Sequence, residues 1–151
     1  MTKNVKQDLY NQCHAFIDAR FEAISNTITE IQISLTSETK SSAGDKHETG
    51  RAMLQLEREK AGHQLAEIEK QKQILQKINV EAKHQKVALG SVIKTTQANY
   101  FIAVSAGELI VDNTKYFAIS AATPIAKLLL SKGVDDAMVF RGNEFKVVEV
   151  F

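Results

Sequence analysis

The sequence predicts an α+β protein: a long antiparallel helical hairpin, followed by a small antiparallel β domain that carries one short helix. Two observations predict this order. No glycine or proline occurs in residues 1–43, whereas four of the seven glycines and the single proline, Pro124, lie at or after residue 90. Short runs of β-branched and aromatic residues are concentrated in the same last third. We therefore predict two domains, 1–89 and 90–151.

The first predicted helix has apolar residues that recur every three or four positions. These are Val5, Leu9, Cys13, Phe16, Ile17, Phe21, Ile24, Ile28, Ile31 and Leu35. From Ile17 onward the steps alternate between four and three, which is the heptad pattern of a coiled coil. A polar segment rich in Ser, Thr and Gly follows, and it predicts a tip near 36–50.

A second helix is predicted from about Arg51 to Leu89. Its apolar stripe consists of Leu54, Ala61, Leu65, Ile68, Leu75, Ile78 and Ala82, and charged residues occupy the other faces. Gly62 weakens such a helix by about 1 kcal/mol without having to break it. Two helices of similar length joined by one polar segment predict an antiparallel hairpin.

The last third alternates between short strand-like runs and turn residues. Arg141-Gly142-Asn143 separates two of these runs and predicts a tight hairpin. Between the runs, TPIAKLLLSKG predicts one short helix. Thr123 is its expected N-cap, Pro124 its first residue, and Gly133 the residue after its end.

Composition excludes several classes of protein. With 19 Lys+Arg against 18 Asp+Glu, the chain lacks the excess basic charge that binds nucleic acid electrostatically. Cys13 is the only cysteine and lies on the apolar stripe, so we expect a small buried hydrophobe and no internal disulfide. No apolar run approaches the roughly 18 residues of a membrane span, and the first ten residues lack a signal-peptide core. We expect a soluble cytoplasmic protein without membrane association.

The titratable residues offer one candidate site. His14, His47, His63 and His84 lack the spacing of a zinc site. Asp45 and Glu48, in the predicted tip, have two interpretations. As a capping box, Asp45 accepts backbone N–H bonds ahead of the second helix and Glu48 bonds back to it. Alternatively, the two carboxylates form a functional acidic tip.

The chain resembles the Gre-type transcript cleavage factors (GreA/GreB) of bacterial transcription. Gly44-Asp45-Lys46-His47-Glu48 matches the G-D-x-x-E of that family. Residues 119–136, ISAATPIAKLLLSKGVDD, are similar to its I-S-x-x-S-P-I-x-x-x-L-L-x-K segment with a following aspartate, and residues 144–150 match its final strand.

The resemblance implies a fold and a mechanism. The C-terminal domain would be FKBP-like and would dock at the rim of the secondary channel of bacterial RNA polymerase, through a surface that includes Thr123 and Pro124. The coiled coil would enter the channel, where Asp45 and Glu48 would help to hold Mg²⁺ in the polymerase active site and stimulate cleavage of backtracked RNA. The protein would be a monomer with no cofactor of its own and would not itself be an enzyme. Hard carboxylate ligands suit Mg²⁺.

Two departures from the family pattern keep other functions open. Thr49-Gly50-Arg51-Ala52 stands where the family has N-A-E-Y, and Ala122 stands where Asp or Asn often precedes the S-P pair. These departures allow a secondary-channel regulator or inhibitor that does not stimulate cleavage. A coiled-coil adaptor protein is a third possibility. A prolyl isomerase is disfavoured because few aromatic residues follow Gly90 to line a proline pocket.

Overall fold

The computed structural model describes residues 4–40 and 44–151, without the side chains of residues 38–40 and 44–47. Within these residues the chain forms three helices and six strands. It divides into two compact units. One unit is Ile17–Gln71, and the other combines the described residues up to Phe16 with Lys72–Phe151. The α+β class predicted from the sequence is confirmed.

The unit 17–71 is built from two long helices, which continue beyond it. Helix α1 is Val5–Lys40 and helix α2 is Gly44–Gln76. Residues 41–43 span at most about 14 Å from Lys40 to Gly44, so α2 must begin beside the end of α1. Both helices bury a heptad stripe, which pairs them in antiparallel orientation. The buried residues of the unit are Ile17, Ile24 and Ile31 in α1 and Ala61 and Ile68 in α2.

The helix boundaries differ from the predicted ones at the tip. The polar segment predicted near 36–50 is mostly helical, because α1 continues to Lys40 and α2 already begins at Gly44 rather than at Arg51. Polar residues, and the two glycines Gly44 and Gly50, cost about 1 kcal/mol or less each in a helix. Packing between the apolar stripes of the two helices offsets this cost. The side chains of Leu35 and Arg51 are half-buried, so this packing extends toward the tip.

The second helix is also shorter at its C-terminal end than predicted, ending at Gln76 instead of Leu89. The N–H groups of Lys77 and Ile78 bond the carbonyls of Ile74 and Leu75, three residues back, which tightens the last turn. The chain then turns at Asn79, whose side chain accepts a hydrogen bond from the N–H of Glu81. Ile78 lies after the end of the helix and is still buried. The apolar spacing of the sequence therefore continues past the end of α2 without requiring a helix there.

The other unit contains a six-stranded sheet of order β3-β4-β2-β1-β6-β5. The strands are β1 Val92–Thr95, β2 Asn99–Ala103, β3 Gly107–Val111, β4 Thr114–Ser120, β5 Ala137–Phe140 and β6 Asn143–Val150. Neighbouring strands pair antiparallel except β2 and β4, which run parallel with Phe101 opposite Ala118. The prediction of a wholly antiparallel sheet was therefore wrong at this pairing, because β4 inserts between β3 and β2.

Two tight hairpins are formed by residues that tolerate left-handed backbone. Arg141 and Gly142, with φ of 52° and 82°, connect β5 to β6, which confirms the predicted turn. Asn143 already belongs to β6, opposite Phe140. Asp112 and Asn113 connect β3 to β4 with φ of 51° and 65°. Positive φ at both central positions is typical of the type I′ turns that match the strand twist.

Helix α3, Pro124–Leu129, packs on the sheet through Ala126 and Leu129, which are both fully buried. They join a core cluster with residues of the sheet and the preceding connection: Val87, Ile93, Ile102, Met138, Phe145 and Val147. The helix ends earlier than predicted. Ser131, with φ of 70°, takes the left-handed conformation that we expected at Gly133.

Candidate functional site

Asp45 and Glu48 lie in the first turns of α2, in the unit 17–71. A separation of three residues places these two positions on the same face of the helix. The side chain of Glu48 is exposed, whereas that of Asp45 lies outside the described atoms. The helix begins at Gly44, so Asp45 is one residue inside it. The capping-box interpretation depends on the Asp45 side chain, which lies outside the described atoms, so both interpretations of this pair stay predictions.

Two carboxylates do not fill the coordination shell of a metal ion. This pair therefore suits a cation that is also bound by another molecule better than a site made by this chain alone. Carboxylate oxygens are the ligands that Mg²⁺ prefers, and Mg²⁺ is often held by one or two of them together with water and phosphate oxygens. Among the described residues, no group of three or more His, Cys, Asp or Glu could hold a metal ion. Whether Asp45 and Glu48 bind a metal ion together with another molecule stays a prediction.

Thr123 and Pro124 lie in the other unit, at the start of α3. The predicted cap is confirmed: the Thr123 hydroxyl accepts a hydrogen bond from the N–H of Ala126 at 3.4 Å and donates to the carbonyl of Ser120 at 2.8 Å. These two bonds occupy the hydroxyl within the chain. Pro124 and Ala122, on either side, are exposed. The proline ring and the alanine methyl are therefore accessible, while Thr123 fixes the local backbone.

Cys13 confirms its predicted role as a small buried hydrophobe. It is fully buried, and burial raises the pKa of its thiol to about 12 despite a hydrogen bond with the backbone of Val104. At neutral pH it therefore remains a thiol, which is a poor nucleophile and a poor metal ligand.

The structure contains a cluster of largely buried polar side chains that the sequence does not predict: Lys6, His84 and Ser91. Lys6 is only 3% exposed, and its ammonium donates to the carbonyl of Ala82 at 2.7 Å. Nδ1 of His84 lies 2.6 Å from the hydroxyl oxygen of the fully buried Ser91, which also accepts the N–H of Ala88. Because Ser91 has no exposed surface, this pair supports the local backbone and does not serve as a nucleophile and its base.

Burial and charge shift the titration of two members of this group. Burial lowers the pKa of Lys6. Burial, and then the nearby positive charge of Lys6, lower the pKa of His84. In the sequence, Lys6 has the pattern of an ordinary solvated lysine in the first turn of a helix. No sequence signal distinguishes it, because the carbonyl that it bonds lies 76 residues away.

Among the described helices, none has the length and apolar character that crossing a bilayer requires.

The chain was compared with known proteins by sequence and by structure. No family model matches the chain, and no curated protein matches it. The chain is similar to a solved structure described as "Structure of the transcription factor Gfh1", with 20% sequence identity, over 87% of this chain and 93% of that chain, at a TM-score of 0.34.

Proposed function

We propose that this protein binds bacterial RNA polymerase and regulates transcription elongation by stimulating cleavage of backtracked RNA, without being an enzyme itself. One observation carries the proposal. Asp45 and Glu48 share a face of α2 beside the connection between two long antiparallel helices, and the Glu48 carboxylate is exposed. Acidic residues at the end where two paired helices are joined would allow a protein to place carboxylates inside a narrow channel.

The helix pair supplies reach and rigidity. Residues 17–40 of α1 and 44–71 of α2 extend roughly 36 and 42 Å at 1.5 Å per residue. The heptad packing of Ile24, Ile31 and Ile68 keeps the two helices together over this length. Carboxylates held on a paired helix keep a defined position, which a flexible loop could not give them.

In the proposed complex, Asp45 and Glu48 would each direct a carboxylate oxygen toward the polymerase active site. Mg²⁺ bound there would supply Lewis-acid activation of water and stabilise the attacking and leaving oxygens at the phosphate where the RNA is cut. The two side chains act by position and charge alone, so their amide counterparts should retain the shape of the tip and lose the function. At the other unit, Pro124 and Ala122 would contact the channel rim.

The test is a cleavage assay on backtracked elongation complexes of the cognate polymerase. Wild type should accelerate release of 3′ RNA fragments. Asp45→Asn and Glu48→Gln should each lower the cleavage rate at least tenfold, which corresponds to about 1.4 kcal/mol of barrier, with unchanged binding to polymerase. Glu59→Gln, at an exposed acid farther along α2, is the matched control and should cleave like wild type.

Other outcomes of this assay contradict the proposal. Failure of the wild type to bind polymerase would refute the whole proposal. Equal loss of cleavage in Glu59→Gln would show that net charge matters rather than the position of the two carboxylates.

A secondary-channel regulator that does not stimulate cleavage is the second candidate, and Arg51 favours it. This residue reverses the acidic charge of the N-A-E-Y segment, and it lies three residues after Glu48 on the same helix. A cation at that position repels Mg²⁺. If wild type binds polymerase but leaves the RNA uncut, this candidate is correct. Arg51→Glu should then introduce cleavage, whereas Arg20→Glu, farther from the tip on α1, should not.

A further inference from the structure

A cleft of about 690 Å³ lies in the unit that contains the sheet. Its walls come from the start of α1, the connection after α2, and strands β1 and β6, with Phe151 at one side. This volume is within the range of clefts that bind small molecules. The cleft includes none of the residues proposed to act on the polymerase, so its function can be tested separately.

Three lysines line this cleft: Lys6, Lys83 and Lys94. Two carboxylates, Glu81 and Glu149, lie among them. Nζ of Lys94 lies 3.9 Å from Oε1 of Glu149. This distance is well beyond the 2.7–2.9 Å of a strong charge-assisted hydrogen bond. Among the described side chains that line the cleft, lysines thus outnumber carboxylates by one, and the ion pair between Lys94 and Glu149 is long.

Lys6 is the member of this set that is hardest to explain by structure alone. Its side chain is 97% buried, since 3% of its surface is exposed. Among the described residues, its ammonium has a single hydrogen bond, to the carbonyl of Ala82, although it carries three donors. Burying a cation without a carboxylate partner is costly. Burial accordingly lowers the pKa of this group. An anion in the cleft would use the two remaining donors.

We propose that this cleft binds a small phosphate-bearing molecule with an apolar or aromatic body, of which a nucleoside monophosphate is the simplest probe. Lysine ammonium groups bind phosphate as point charges, and no arginine lines the cleft to form a bidentate pair with a carboxylate. Phe151, Val5 and Val80 also line the cleft, and their apolar side chains would contact the organic part.

The test uses the full-length protein and adenosine monophosphate, followed by NMR chemical shifts at constant ionic strength. The nucleotide should shift the signals of residues 4–6, 80–83 and 151 along one saturable curve. Adenosine, which lacks the phosphate, should bind at least tenfold more weakly. A dissociation constant weaker than about 1 mM, or equal binding of adenosine, would overturn the proposal.

Matched variants locate the site. Lys6→Met, which keeps the length and apolar stem of the side chain, should weaken nucleotide binding at least tenfold, and Lys94→Met should weaken it severalfold. Lys115→Met is the control, because Lys115 is an exposed lysine on β4, outside the cleft, that pairs with Glu108 at 3.3 Å. If Lys6→Met does not fold, Lys94→Met decides. Unchanged affinity in Lys94→Met, or an equal loss in Lys115→Met, would overturn the assignment.

Discussion

His84 shows how a single buried cation alters the titration of a neighbouring residue. Its ring nitrogen bonds the Ser91 hydroxyl, and the Lys6 charge adds to the effect of burial. Both causes favour the neutral imidazole, so the pKa of His84 lies below its usual value of 6.5. The unfolded chain therefore binds more protons than the folded chain as the pH falls below about 6.5.

The predicted consequence is a loss of stability in acid. Between the lowered pKa of His84 and 6.5, the contribution of this residue to the free energy of unfolding falls as pH falls. Urea unfolding should give a lower free energy of unfolding at pH 5 than at pH 7. This difference should be smaller in His84→Gln than in wild type. Replacing Lys6 by Met removes one cause of the shift, so an NMR titration should find the His84 pKa higher than in wild type. An unchanged His84 pKa in that variant would contradict the role of Lys6.

At this scale the sequence predicts residues whose environment is local and misses those whose partners are distant. Cys13 is correctly predicted as buried because its neighbours on the stripe, Leu9 and Ile17, are apolar. Thr123 is correctly predicted as a cap because its partner is three residues away. Lys6 and Ser91 are missed because a lysine and a serine are usually solvated, and only tertiary contacts bury them here. Whether Asp45 and Glu48 act on a metal stays a prediction.

Among the elements, the two long helices follow from their heptad spacing, but their ends do not. Residues 77–89 keep a helix-like spacing through Ile78 and Ala82, yet the chain turns at Asn79 and Lys6 bonds the carbonyl of Ala82. The sequence also does not reveal that β2 pairs with β4 in parallel orientation. Alternating burial in a strand indicates which face is covered, whereas it carries no information about which strand lies beside it.

Two glycines that precede or begin strands should differ in their tolerance of a side chain. Gly90 and Gly107 both have positive φ, at 88° and 77°. A Cβ on Gly90 would lie 3.0 Å from Cγ2 of Ile78, whereas one on Gly107 would meet nothing within 4 Å. Gly107→Ala should therefore cost about 1–2 kcal/mol from backbone strain alone. Gly90→Ala should cost about 1–3 kcal/mol more because Ile78 must shift.

Urea unfolding of the two glycine variants measures this difference directly. Equal losses of stability would show that backbone conformation, rather than contact with Ile78, sets the cost at Gly90. The double variant Gly90→Ala with Ile78→Ala offers a further check, since alanine lacks Cγ2, the atom that a Cβ at position 90 would approach to 3.0 Å. Gly90→Ala should therefore cost less in the Ile78→Ala background than in wild type.

For the whole molecule, the main finding is that the sheet-containing unit is discontinuous in sequence. It includes the first turns of α1, where Tyr10 donates to the carbonyl of Leu75 at 3.0 Å and Gln12 to that of Ile110 at 3.0 Å. The change in sequence character at Gly90 predicts a separate domain at 90–151. In the structure, the unit that contains this segment also includes residues 72–89 and the described residues before Ile17. A separate domain at 90–151 stays a prediction.

A fragment of residues 90–151 should consequently be less stable than the complete unit. It lacks Leu9, Cys13, Leu75 and Val87, all of which are buried in the same unit. In the matched chain, a Gly/Ser linker of eight residues, with a mean span of about 15 Å, replaces residues 17–71. Thermal unfolding followed by near-UV circular dichroism should be cooperative for the linker chain and occur at a lower temperature for the fragment. Equal midpoints would support an independent domain at 90–151.

The discontinuity of this unit has a consequence for synthesis on the ribosome. Gln12 bonds a carbonyl that is 98 residues farther along the chain. At 5–20 residues per second, that carbonyl is made roughly 5–20 s after Gln12. During this delay Leu9 and Cys13 have no sheet to cover them, although the heptad partners of α1 have already emerged with α2. A nascent chain that has formed its helices but not yet its later strands would therefore expose these apolar side chains to solvent and to ribosome-associated chaperones.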